Sequence, residues 1–360
     1  MAGSRLAAVI VLLGCFISKT GLPTVHSCAA VFPSGKPVVN ADQNVVIIWD
    51  EANKTQHFIR RASFKSDAED FGFLIPSPSK PDLEESGNEA FPLLQKLTEP
   101  AHVKAKRPSS TPGCGCALAT RLESPMASTT VKVLEEKTVA GYKASVLETQ
   151  SVHDLVSWLK TNGYFYSMEV AEWAKPYVDQ GWKFTALKLA KRETKTDAKT
   201  VDSSSLRITF KTARPLFPYR EPDSSKIAEQ LAAKTRLLRI YFVADSKYEG
   251  TLTPDQAWTG KITWAGKISS DDRKRVLAQL RLPESVGPAN WYLTEFEDDW
   301  AYKLMPADVY FSRAFKQDNV RRDPIIEYVH TRAPVDPLFG AMGIVLVLLP
   351  FVSFFRRRWM

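Results

Sequence analysis

The sequence predicts an α+β fold: largely antiparallel sheet with a few packing helices, plus one C-terminal transmembrane helix. Three observations carry this. Short β-branched and aromatic runs outnumber the helical patterns, strands and helices do not alternate in the strict repeat of a doubly wound sheet, and residues 338–355 are free of charge. With 360 residues, 44% of them hydrophobic, the chain is long enough for one large domain or two intimate ones.

The elements follow in order. Met1–Arg5 is a short positive head, Leu6–Ile17 an apolar run, and Val25-His26-Ser27 a small-residue ending, so residues 1–27 read as a secretory signal peptide with Cys28 first in the mature chain. A membrane-anchoring helix is a rival, although twelve apolar residues fall short of the roughly 20 that a span needs. Leu12-Leu13-Gly14-Cys15 resembles a lipobox that would acylate Cys15, but Phe16 and Ile17 continue the apolar run where such a segment turns polar.

Val45–Trp49 and His57–Phe64 are strand-like runs separated by turn chemistry, which predicts a hairpin with Phe71–Ile75 as its third strand. The segment Asp70-Phe71-Gly72-Phe73-Leu74-Ile75-Pro76-Ser77-Pro78-Ser79-Lys80-Pro81 reads as a buried strand running into a stiff, proline-spaced exit. Ser86 or Asn88 is placed to cap a short helix over Leu93, Leu94 and Leu97, which Pro100 ends. Val131–Val139 and Tyr142–Leu147 form another strand pair.

A helix opens at Ser151 with Asp154 three residues on, carries Val152, Leu155, Val156 and Leu159 on one face, and stops at Gly163. A second covers Met168–Tyr177 with Gly181 as terminator, and Trp182–Leu189 resumes strand character. Lys191–Asp202 is a charged loop with a solvated face. Leu206–Lys211 alternates strictly, predicting one buried and one wet face, and Arg214–Arg220 repeats the strand-into-prolines device. Leu238, Ile240 and Phe242 alternate again, as do Ile262 and Trp264; Ser270 opens an amphipathic helix over Val276, Leu277 and Leu280; Trp291–Phe296 and Val309–Phe311 supply late strands.

After a linker at 333–337, the 18 residues of 338–355 reach about 27 Å as a helix, enough for a bilayer core. Arg356, Arg357 and Arg358 in the tail 356–360 belong in the cytoplasm by the positive-inside rule, so the domain at 28–332 faces outward. A buried core helix is the alternative. A proline-bearing linker, apolar helix and arginine cluster are also the layout of exosortase substrates, whose usual motif is not clearly present here. The net charge of +8 invites a nucleic-acid reading, but the two ends hold five of the 48 basic residues and no acid. The remainder carries 43 bases against 40 acids, a net of +3, which removes the argument for a nucleic-acid surface.

The chain resembles the bacterial family known as domain of unknown function 2330. The likeness rests on Cys28-Ala29, the Val45–Asp50 strand, Asp70–Pro78, Cys114-Gly115-Cys116, the Leu155–Gly163 helix end, Gly181-Trp182 and the Leu206–Pro218 segment, in that order. The resemblance implies an exported bacterial protein, often with a C-terminal membrane helix, and brings no catalytic residues.

Without the signal peptide, Cys28, Cys114 and Cys116 remain, an odd number for an oxidising compartment. Cys28 bonded to Cys114 or Cys116 would close roughly 90 residues, on the order of 4 kcal/mol in the chain-entropy model. The sharper alternative makes Cys114 and Cys116 soft metal ligands or a reactive thiol pair, but no Met or His lies near in sequence. His57, His102, His153 and His330 are scattered, without paired zinc spacing, a serine elbow or a phosphate loop. Asp298 and Asp299 read as solvent-facing, and Trp291, Trp300 and Tyr302 as core rather than a sugar platform. Pro76, Ser77, Pro78 and Pro81 are the candidate binding surface.

The sequence therefore expects a single-pass envelope protein on the extracytoplasmic side, a module that binds an envelope protein or ligand. It calls for no cofactor and no metal. A thiol-dependent envelope enzyme using Cys114 or Cys116, a hydrolase with a site scattered through the chain, and the precursor of a processed surface protein are the alternatives.

Overall fold

The computed structural model describes residues 38–40, 43–61, 63–66, 72–105, 131–164, 168–189, 200–202, 205–223, 225, 229, 235–253, 256–303 and 305–328. These fall into two compact units, one of residues 38–98 and 131–320, the other of residues 99–105 and 321–328. The first is an α+β unit built on two large sheets. A seven-stranded sheet runs β17 (Lys261–Lys267), β18 (Tyr292–Ala301), β14 (Thr235–Ala244), β2 (Gln43–Asp50), β3 (Thr55–Arg61), β12 (Ser205–Lys211), β6 (Asp82–Ser86), antiparallel throughout except for the parallel β14–β2 pair. A four-stranded antiparallel sheet runs β5 (Gly72–Ser77), β10 (Lys183–Leu189), β9 (Tyr142–Glu148), β8 (Lys132–Val139).

Four layers result. Val45, Ile47 and Trp49 of β2 pack with Phe73 and Ile75 of β5 and Tyr142 and Val146 of β9 in the core between the sheets. Val46 and Ile48, pointing the other way, pack under α1 (Ala90–Thr98) and α4 (Ser270–Gln279) through Phe91, Leu94, Val276 and Leu277. The outer face of the smaller sheet, with Leu74, Leu147 and Phe184, is covered by α2 (Val152–Thr161) and α3 (Met168–Asp179). A strand covered on both faces needs apolar residues at every position, which is why Val45–Trp49 is continuous rather than alternating.

Two smaller sheets complete the unit: β13 (Leu216–Phe217), β19 (Val309–Arg313), β15 (Tyr248–Thr253), β16 (Gln256–Ala257), and β1 (Val38–Asn40), β4 (Ser63–Ser66), β11 (Thr200–Asp202). The second unit consists of the parallel pair β7 (His102–Ala105) and β20 (Ile325–Tyr328).

The β2–β3 and β8–β9 pairs form as the sequence predicts; the second turns on Ala140 and Gly141, both at positive φ (52° and 80°), the geometry of a two-residue hairpin loop. Ser151 caps α2, its hydroxyl accepting from the N–H of His153 and Asp154, and Gly163 and Gly181 stand at positive φ just past α2 and α3.

Three expectations are corrected. The strand at 72–77 does not join the β2–β3 hairpin, because β12 occupies the free edge of β3; it pairs with β10 instead, Ile75 opposite Thr185 and Pro76 opposite Phe184. As the edge strand of its sheet it tolerates a proline. Neither Ser86 nor Asn88 caps α1 with its side chain: Ser86 donates to Leu280 O at 2.8 Å, and Asn88 Oδ1 accepts from the N–H and hydroxyl of Ser205. The helix expected to open at Ser270 does so, capped by Ser269. The wet face of β12 is not fully wet, since Arg207 is buried and ion-paired with Glu84.

Among the described residues no helix is long and apolar enough to cross a membrane. The runs at 1–27 and 338–355, His330, and Cys28, Cys114 and Cys116 lie outside them.

Candidate polar cleft around Asp298

The middle of β18 reads Phe296-Glu297-Asp298-Asp299-Trp300, and its alternation turns Asp298 inward between two buried aromatic side chains. Asp298 is 4% exposed, against the expectation that both adjacent carboxylates face water; Asp299 does face it. The buried carboxylate accepts three hydrogen bonds: from Tyr219 Oη at 2.5 Å, Trp258 Nε1 at 3.1 Å and Thr259 Oγ1 at 2.7 Å. Burial, reinforced by this hydrogen bond, pushes the Tyr219 phenol well above its ordinary pKa. Tyr219 stacks on Trp300 with ring centroids 5.2 Å apart and planes 13° apart. Trp258 fits because Gly250 and Gly260 press on its ring; a Cβ at Gly260 would come within 2.4 Å of it.

Next to this cluster is a buried ion pair, Glu221 with Arg236, whose guanidinium lies 4.0 Å from the Trp300 ring and 4.7 Å from that of Tyr302. Trp291, Trp300 and Tyr302 are all buried, so they belong to the core, as the sequence predicts.

Over Asp298 opens a cleft of about 590 Å³, a size in the ordinary range for ligand sites. Its lining includes Tyr219, Thr259, Lys261, Asp299, Lys303 and Met305. Glu297, also in the lining, is paired with Arg239. Lys261, Asp299 and Lys303 have no ion-pair or hydrogen-bond partner among the described residues. The cleft thus has at its base a carboxylate with three of its roughly four acceptor positions filled, and on its walls charges of both signs without a partner among the described residues.

The other residues singled out from sequence lie elsewhere. Pro76, Ser77 and Pro81 are buried and Pro78 is half-buried, so the proline run belongs mostly to the interior rather than to an open surface. His57 sits on β3 with Nδ1 3.0 Å from Thr209 Oγ1; burial, helped by the charge of Arg207, lowers its pKa to about 4. His153 is exposed in the first turn of α2, and His102 Nδ1 lies 2.7 Å from Glu327. No group of three or more His, Cys, Asp or Glu among the described residues is placed to hold a metal ion.

A second buried carboxylate, Asp308, accepts from Tyr177 Oη at 2.9 Å and from the Arg220 N–H at 3.0 Å. Burial raises its pKa to about 6, and the Arg220 N–H only partly offsets this. Sequence reading missed Tyr219, Trp258, Thr259, Lys261 and Lys303 as neighbours of Asp298. The one available signal was the position of Asp298 midway between Phe296 and Trp300 on an alternating strand.

No curated protein matches the sequence. Among solved structures, the crystal structure of baculovirus P35 aligns with a TM-score of 0.32 at 10% identity, over 80% of this chain and 97% of that one. A mutated baculovirus P35 after caspase cleavage aligns with a TM-score of 0.29 at 9% identity, over 79% and 100%. Neither likeness is close enough to carry a conclusion about fold or activity. Residues 22–312 match the model of an uncharacterised protein conserved in bacteria, DUF2330, and the chain belongs to that family.

Proposed function

We propose that this protein is a single-pass bacterial envelope protein whose outward-facing domain binds a polar ligand in the Asp298 cleft. The observation that carries the binding reading is the division of labour within the cleft. Asp298 at its base takes three donors from its own chain, filling three of the roughly four acceptor positions of a carboxylate, while Lys261, Asp299 and Lys303 have no charge partner among the described residues. A carboxylate held mostly by donors of its own chain shapes a site, whereas a general base is held with its acceptor position turned to the reacting proton. Walls of both signs favour a ligand carrying both, such as a short peptide or an amino-acid derivative, over a simple anion or cation. Export rests on the signal-peptide pattern of residues 1–27, and anchoring on the uncharged run 338–355 followed by Arg356, Arg357 and Arg358.

Two measurements test this. In intact cells a non-permeant protease should remove the 28–332 domain and spare a tag placed after Met360; protection of the domain would overturn the orientation. Purified full-length protein in detergent should melt several degrees higher with short zwitterionic peptides at about 100 times Kd. Lys261→Glu combined with Lys303→Glu should abolish that shift. The binding reading falls if no peptide, amino acid or sugar raises Tm, or if the protein turns over a peptide or ester in an Asp298-dependent way.

A further inference from the structure

A second, much smaller cavity lies apart from the cleft, where the two proline-punctuated strand exits meet. Ile75 and Pro76 of β5, Phe217 of β13 and the following Pro218 line it, together with Gln43 at the start of β2, Arg60 of β3 and Arg220. Most of the wall is apolar. Gln43 is 1% exposed, and neither Oε1 nor Nε2 of its amide has a hydrogen-bond partner among the described residues. Arg220 donates its backbone N–H to Asp308 and its Nη1–H to Pro306 O at 2.7 Å, yet its buried Nε–H also has no partner among the described residues. Native folds rarely leave such groups unmade, so one acceptor and donors on two residues at a single cavity call for a common ligand. The cavity has room for about 10 Å³, close to what one water needs.

We infer that this cavity is a binding site for one internal water, which joins Gln43 to Arg220. The oxygen accepts from Gln43 Nε2–H and from Arg220 Nε–H, and one of its hydrogens donates to Gln43 Oε1, giving the three bonds typical of a buried water. An anion matches these groups less well: it could only accept, leaving Gln43 Oε1 without a donor, and chloride is larger than the space. The water ties the entry of β2 to the segment that carries the backbone donor of Asp308, linking the seven-stranded sheet to the Tyr177–Asp308 pair.

The test is a crystal structure of the full-length protein at a resolution that shows ordered water, with a second data set after a bromide soak. One oxygen peak should lie within about 3.2 Å of Gln43 and Arg220, without bromide signal. Oxygen-17 relaxation dispersion should count one fewer long-lived water in Gln43→Met than in the wild type. An empty cavity, a bromide peak, or a Gln43 amide bonded directly to protein would each overturn the assignment, and the wild-type density decides even if Gln43→Met fails to fold.

Discussion

At the scale of single residues, the buried charges are the most exposed to challenge. Glu221 and Arg236 are 2% and 4% exposed and paired with each other, with Arg236 stacked against Trp300 and Tyr302. Glu221→Gln removes the negative charge opposite a desolvated guanidinium and should cost about 3–5 kcal/mol in urea unfolding. Replacing the pair with Glu221→Leu and Arg236→Met should cost far less, because no lone charge stays buried. A double variant as unstable as the single one would show that the pair contributes more than it costs to desolvate. Sequence alone could not place this pair: Glu221 and Arg236 read as ordinary polar residues until Trp300 of β18 and Tyr302 just beyond it close over Arg236.

At the scale of elements, local signals succeeded where the capping group had no competing partner. Ser151 accepts from the first turn of α2, as the sequence predicts. Ser151→Ala should therefore lower stability by about 1 kcal/mol, measured as a fall in urea midpoint at unchanged m, and Ser86→Ala should leave the start of α1 unaffected. The Ser86 and Asn88 signals failed because their side chains bond to Leu280 and Ser205, partners distant in sequence. Gly87 shows the same long-range constraint. A Cβ there would come within 1.9 Å of Gln279 O at the end of α4, so Gly87→Ala must displace backbone, and should destabilise well beyond the usual glycine-to-alanine change.

For the whole molecule, two titrations of opposite sign, at half-buried His57 and buried Asp308, should hide each other. His57 has its pKa lowered from 6.5 to about 4, so its contribution to stability is full above 6.5 and lost as pH falls through 4. Asp308 has its pKa raised from 3.8 to about 6, so its contribution is full below 3.8 and lost as pH rises through 6. Carboxylates with lowered pKa, such as Glu135, titrate below their usual 4.5. Between pH 4.5 and 6 the two slopes, each about 1.4 kcal/mol per pH unit, should cancel. Asp308→Asn should make stability rise across that window and His57→Gln should make it fall; parallel profiles for the two variants would show that neither group titrates as assigned. What the sequence determined by itself was local: strand runs, turns, the Ser151 cap, helix stops at glycine, the α+β class and the two apolar ends. All of these follow from backbone preference and short-range periodicity. Only the tertiary structure decided that Phe73–Ile75 pairs with β10, that helices cover both outer faces, and that Asp298 meets Tyr219, Trp258 and Thr259. Those outcomes depend on which strand edges and buried polar groups find partners far along the chain, and no local pattern encodes that choice.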